Sequence, residues 1–285
     1  MNKKQFPTEV GRIFVAGDTH GNKKWWRTLI KLANQHDCKV IVQVGDFGFW
    51  PEQNSGSITD STGIDMQYLT FIAELLRDTD TRLVVIDGNH DDHPRARAAF
   101  DIMFSNVREV IEGTIFWADR GSRWIWNNVQ FGALGGAVSV DRFNPTRPRT
   151  EGIDWWATER LTQEEVDFYG NEPVDVLFTH DAPLGVERTK GEITNVILKT
   201  EIAEHRGFLA SAINATSPEI VIHGHYHSRY DDIYYIPFGN EVRVAGLAHD
   251  DQHDSQGASE LSWGILDTQD LSFVDGHGAE AQLTT

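Results

Sequence analysis

The sequence of 285 residues predicts a layered α/β fold. Three observations point there. Short apolar runs of strand length recur along the chain, helical patterns alternate with them, and two aromatic-rich stretches have the texture of antiparallel hairpins. The first run is Ile13-Phe14-Val15-Ala16, and a helical pattern over 22–36 comes after it with Trp26, Leu29, Ile30 and Ala33 on one face. The second run is 40–44. After a polar Ser/Thr/Gly loop over 51–63 comes a second helical pattern, 65–76, carrying Met66, Leu69, Ile72, Ala73 and Leu76. The third run is 83–86. From 107 to 134 the pattern becomes short aromatic strands with turn signals at Asp119-Arg120-Gly121 and Asn127-Asn128. Thr162 and Glu165 read as a capping box opening a short helix. Runs at 174–178 and 220–222 flank a long helix over 194–215, and hairpin texture returns over 233–274. These hairpins predict a second sheet beside the first.

With 40% hydrophobic and 11% aromatic residues the chain can bury a core, which excludes wholesale disorder. One domain spanning 1–285 is expected, with the last ten or so residues a flexible tail. The 25 Lys and Arg face 43 Asp and Glu, a formal charge of −18 that disfavours long nucleic acid as a partner. Polarity runs along the chain: 251–285 contains no Lys or Arg, whereas 120–149 carries five arginines against the single acid Asp141. That strip is the place to seek phosphate recognition. Arg142, nearest the Gly135-Gly136-Ala137 turn, is the candidate, because a guanidinium binds phosphate oxygens bidentately. The single Cys38 excludes a disulfide framework, and no apolar run reaches membrane-spanning length. A soluble, cytoplasmic, membrane-free protein is expected.

The segments at the ends of the five apolar runs carry the chemistry: Gly17-Asp18-Thr19-His20-Gly21, Gly45-Asp46-Phe47-Gly48, Gly88-Asn89-His90-Asp91, Thr179-His180-Asp181 and His223-Gly224-His225-Tyr226-His227. Strand C-termini in an α/β sheet lie along one edge, so groups distant in sequence converge there. Carboxylate, imidazole and amide donors without thiolate suit Mn²⁺, Fe or Zn²⁺ better than Ca²⁺. Seven such donors serve two ions if one carboxylate bridges them, the arrangement used for phosphoryl transfer. His223 falls outside the Gly-His-x-His pattern and reads as structural. His93, His249 and His253 belong to no motif and are expected in solvent.

The ordered set Asp-x-His, Gly-Asp, Gly-Asn-His-Asp, His and Gly-His-x-His resembles the calcineurin-like metallophosphoesterase superfamily. The resemblance implies two packed mixed β-sheets flanked by α-helices, an αββα sandwich. It implies one divalent ion on Asp18, His20, Asp46 and His227 and a second on Asp46, Asn89, His180 and His225, with His90 as general acid and Asp91 as its orienting partner. Mn²⁺ is the first expectation, Fe or Zn²⁺ the others. Family members acting on phosphoserine and phosphothreonine carry Asp-Arg-Gly at the second motif and Gly-Asn-His-Glu at the third. Here Asp46 is followed by Phe47-Gly48, and the third motif ends in Asp91. The 135–142 segment and Trp155-Trp156 resemble small bacterial and phage phosphoesterases, a group similar to enzymes of phosphodiesters and cyclic nucleotides. The expectation is therefore a phosphodiesterase of small, nucleotide-like substrates, with a metal-bridging hydroxide as nucleophile. The alternatives are a Ser/Thr protein phosphatase or broad phosphomonoesterase, and, in another class, a metal-free interaction module on the same fold.

Overall fold

The computed structural model describes residues 6–49, 66–101, 107–187, 193–250 and 258–278. The loop 51–63, His253 and the last seven residues, where most of the expected tail falls, lie outside them. The described residues form two mixed sheets flanked by five α-helices.

Four strands run parallel in the first sheet: β1 (Arg12–Ala16), β2 (Val40–Val44), β3 (Arg82–Ile86) and β5 (Ile115–Ala118). β4 (Val107–Ile111) pairs antiparallel with β5 at one edge, and the hairpin of β12 (Trp263–Asp267) and β13 (Phe273–Asp275) adds to β1 at the other. The second sheet holds parallel β7 (Val129–Leu134), β8 (Val176–Thr179), β9 (Ile220–His223) and β11 (Glu241–Gly246). β6 (Arg123–Trp126) and β10 (Tyr230–Tyr235) run antiparallel at its two edges. The five apolar runs are thus divided between the sheets, three and two. The hairpins do not form a sheet of their own as expected; they extend the edges of both, because an antiparallel strand needs only an open edge to pair.

Strict alternation explains how each central strand is buried on both faces. In β1, Ile13 and Val15 point between the sheets, while Phe14 and Ala16 point toward α1 (Lys23–Gln35) and α2 (Met66–Asp78). In β8 and β9, Val176, Phe178, Ile220 and Ile222 face the first sheet, whereas Leu177 and Val221 face the layer of α4 (Gln163–Tyr169) and α5 (Val196–Thr216). Asn22 caps α1 by accepting from the backbone of Lys24 and Trp25, fixing the turn directly after His20. Both Trp25 and Trp26 are buried, and the Trp26 indole donates to Tyr68 Oη at 2.7 Å. The capping box at Thr162 and Glu165 is present. A short helix, α3 (His93–Ala99), comes after the third motif with Asp92 as its cap, and it buries His93, which was expected in solvent.

Candidate metal centre

The C-terminal ends of β1, β2, β3, β8 and β9 deliver five loops to one end of the sandwich. Asp46 stands where the two sheets meet. Its Oδ2 lies 3.5 Å from His20 Nε2 and its Oδ1 3.5 Å from His180 Nε2. Beside it, Asp18 Oδ2 is 3.9 Å from His20 Nε2 and 3.1 Å from His227 Nε2. On the other side, His180 Nε2 is 3.2 Å from Asn89 Oδ1, and the His180 and His225 rings are 5.1 Å apart. All seven residues expected to hold metal lie at this end of the sandwich: ligand atoms of Asp18, His20 and His227 come within 4.8 Å of one another, as do those of Asp18, Asp46 and His180, with Asn89 and His225 beside His180.

The backbone is unusual at this point. His20, Asp46, His225 and His227 have φ of 43, 56, 67 and 56°. This left-handed region costs a residue with a Cβ on the order of 1 kcal/mol. Tight contacts between motifs hold it: the N–H groups of Thr19 and His20 both donate to the Asp46 carbonyl, at 3.1 and 2.8 Å. The His225 N–H donates to Asp18 Oδ1 at 3.0 Å. Gly45 has φ of +96°, and a Cβ there would stand 2.1 Å from His180 Nδ1. Gly224 is equally constrained, since its Cβ would meet Asp18 Oδ1 at 2.0 Å.

Outer partners orient these side chains. His180 Nδ1–H donates to the Val44 carbonyl at 2.8 Å, which turns Nε2 toward the centre. His20 Nδ1–H donates to Asp250 Oδ1 at 2.9 Å, and Asp250 also accepts from Asn22 Nδ2 at 2.9 Å. The Asn89 amide donates to Ser139 Oγ at 3.0 Å, and that hydroxyl donates to Glu159 Oε2 at 2.5 Å. Burial pushes the Glu159 carboxyl up to about 7, against the hydrogen bonds from Ser139. Burial likewise disfavours charge on His180, but the Asp46 and Asp18 carboxylates outweigh it and push that imidazole up to about 9. His20 is pushed up to about 10 by Asp250 and Asp46 in spite of its burial. Burial alone would raise the Asp46 carboxyl; the imidazoles of His180 and His90 hold it well below its usual range.

The donors fit divalent transition ions. Asp46 Oδ2 is buried yet accepts no hydrogen bond, and nitrogen and oxygen donors converge around it without a thiolate. His90 lies at the same place: its N–H donates to Asp46 Oδ1 at 2.9 Å, and its Nε2 is 4.0 Å from Asp46 Oδ2. Burial, with the Arg149 cation adding to it, lowers the His90 pKa to about 4.

Two expected site residues are used otherwise. Asp91 does not orient His90; its carboxylate accepts from the backbone N–H groups of Phe47, Gly48, Phe49 and Gly88 at 2.9 to 3.1 Å. It ties the second motif to the third. Arg142 does not face the centre, because its guanidinium is buried against Glu201 and lies 4.7 and 4.8 Å from the Phe143 and Trp155 rings. Arg149 reaches the centre instead, with Nη2 3.4 Å from His90 Nε2. It belongs to the arginine-rich strip over 120–149, but nothing in the sequence distinguishes it from the other four, since 135–156 is a loop whose course depends on tertiary contacts.

Asp250 was also missed, although its signal is legible: an apolar run, Val244 to Leu247, precedes His249-Asp250 just as runs precede the five motifs. His249, expected in solvent, is half-buried, with its ring 4.4 Å from that of His227. His223 is wholly buried between the Gly224 carbonyl and Tyr230 Oη.

Solved structures of similar fold include a protein of Thermus thermophilus, 12% identical, with a TM-score of 0.54 over 93% of this chain and 98% of that one. A dimetal phosphatase from Danio rerio is also 12% identical, with a TM-score of 0.52 over 91% and 93%. At such identities the likeness is one of fold. No curated protein matches the sequence. Residues 11–229, which span every one of the five motifs, match the model of the calcineurin-like phosphoesterases, and the chain belongs to that family.

Proposed function

We propose that this protein is a phosphodiesterase of small substrates, nucleotide-like in size, that works through two divalent metal ions, Mn²⁺ foremost and Fe or Zn²⁺ as alternatives. The observation that carries the reading is Asp46, buried between His20 and His180 with an oxygen toward each. Asp18, His20, Asp46 and His227 would hold one ion, and Asp46, Asn89, His180 and His225 the other. When bound, the ions would supply Lewis acidity toward the phosphoryl oxygens and would make a hydroxide nucleophile available at neutral pH. His90 keeps Nε2 toward this centre and gives its proton to the departing oxygen. An arriving phosphate anion offsets the Arg149 cation beside that ring and so favours its protonated form.

The preference for diesters rests on two features. An alkoxide leaving group needs the proton that His90 supplies. The loop after Asp46 also offers no cation where phosphoprotein phosphatases have Arg: Phe47 is buried, its ring centroid 5.5 Å from that of Trp26 and 5.1 Å from that of Tyr68. Among the described residues no helix is long and apolar enough to cross a membrane. With one cysteine, a reducing cytoplasm is the setting we favour.

Purified, Mn²⁺-loaded protein offered bis(p-nitrophenyl) phosphate, p-nitrophenyl phosphate, a phosphopeptide and 2′,3′-cyclic AMP tests this. Preference for either monoester would overturn the diester reading. Elemental analysis that found no transition metal after loading would leave the metal-free interaction module in its place. His90→Ala is expected to lower kcat by about 10²- to 10⁴-fold on alkyl diesters, and less on p-nitrophenyl esters, whose leaving group needs no acid.

A further inference from the structure

Of the five arginines between 120 and 149, three are committed elsewhere. Arg120 is buried against Asp87 and Glu165. Arg123 donates to the carbonyls of Tyr169 and Glu172 and covers the Tyr169 ring. Arg142 is held by Glu201 between two aromatic rings. That clamp fixes the loop from which Arg149 projects, and the Arg149 N–H donates to the Arg142 carbonyl at 3.1 Å.

Arg149 itself is placed for another task. Nη1 donates to the Asp154 carbonyl at 2.9 Å, which sets the plane of the guanidinium, and Nη2 donates to Asp141 at 2.5 Å. The same Nη2 lies 3.4 Å from His90 Nε2. Arg149 Nη2–H thus donates to the neutral His90 ring, which places the guanidinium directly beside Asp46 and the candidate metal centre. The guanidinium side is 21% exposed and its counter-ion Asp141 45% exposed, so the carboxylate sits on the solvent side of the pair. An anion entering beside His90 can take over the charge that Asp141 now balances, at a fork matching the spacing of two phosphoryl oxygens.

We propose that Arg149 is the residue by which this protein grips the phosphoryl group of its substrate, with Asp141 as the carboxylate that the substrate displaces. The inference rests on the phosphoesterase reading above and adds a specificity residue to it. Arg142 acts one step back, by holding the loop in place.

The test uses the Mn²⁺-loaded full chain, with bis(p-nitrophenyl) phosphate as substrate and inorganic phosphate as competitor. Arg149→Ala is expected to raise both KM and the phosphate Ki by about 10- to 100-fold, the range for losing a charge-assisted hydrogen bond. Metal content should stay at the wild-type value. Arg149→Lys, which keeps the charge but not the fork, should fall between. Asp141→Asn should lower the phosphate Ki, because the competing carboxylate is gone. A merely structural Arg149 would lower Tm and metal content and leave Ki where it was; that outcome, or an unchanged KM and Ki in a metal-replete Arg149→Ala, overturns the proposal. Wild-type protein that holds metal but neither hydrolyses the diester nor is inhibited by phosphate would overturn the phosphoesterase reading, and this inference with it. The wild-type control therefore separates the two failures.

Discussion

Asp46 and His180 belong to different sheets, one after β2 and the other after β8, yet Asp46 Oδ1 and His180 Nε2 approach to 3.5 Å. The centre is an inter-sheet junction, and its integrity depends on the packing of Val42, Val44, Phe178 and Ile222 beneath it.

Asp46→Asn should weaken both metal positions together, since one oxygen faces each group of donors. Elemental analysis after dialysis is expected to show less than one ion per chain. Diesterase activity should drop by more than about 100-fold, beyond the loss typical of outer-partner changes. Two retained ions would show that Asp46 is not shared.

Metal affinity should rise with pH. In the metal-free centre His20 and His180 are held protonated by their carboxylate neighbours, with pKa values pushed up to about 10 and about 9. An ion must displace those protons, so the Mn²⁺ association constant should climb about 10- to 100-fold per pH unit through neutrality. Titration calorimetry in buffers of different ionisation enthalpy would report one to two protons released, again on that principle. A binding heat that does not depend on buffer would contradict this.

Glu159 gives stability the opposite slope. Its carboxyl is pushed up to about 7 from the ordinary 4.5, so the folded chain keeps a proton that the unfolded chain releases. The contribution is whole below about pH 4.5 and is lost as pH rises to about 7, a difference of about 3 kcal/mol. Glu159→Gln cannot ionise. Followed in chelator from pH 5 to 8, the wild-type Tm should fall more steeply than that of the variant. Parallel curves would place the Glu159 pKa near its unfolded value.

Gly45→Ala should damage the site more than the fold. The new Cβ meets His180 Nδ1 and sits on a backbone that favours glycine, costing about 1–3 kcal/mol. Metal content should fall by more than the change in Tm alone would produce, because the side chain displaced is itself a ligand candidate.

The convergence of the seven candidate donors was legible because each comes after an apolar run, and a strand buried on both faces leaves only its end for polar chemistry. The helices were legible for a similar reason: Leu29, Ile30, Leu69 and Ile72 keep a 3.6-residue spacing that the packing uses directly. Sheet membership was not, since Trp263 to Asp267 and Tyr230 to Tyr235 read alike and edge pairing is decided by which strand is left open. Asp91, Arg142 and Arg149 show the same limit. Their residue types suit phosphate chemistry, but which of them faces the cleft depends on loop contacts among residues far apart in sequence.

Arg120 is wholly buried, with Nη2 2.6 Å from Asp87 and Nη1 3.4 Å from Glu165, while Arg97 bridges Glu165 and Asp119 at 2.9 Å each. Single losses from such a group strand a charge in the interior, at a cost of about 3–5 kcal/mol, whereas replacing the group together is often neutral. These five positions should therefore change as a set as related sequences diverge. A family alignment in which Arg120 varies should show Asp87 and Glu165 varying with it, while Asp46 stays free of that linkage.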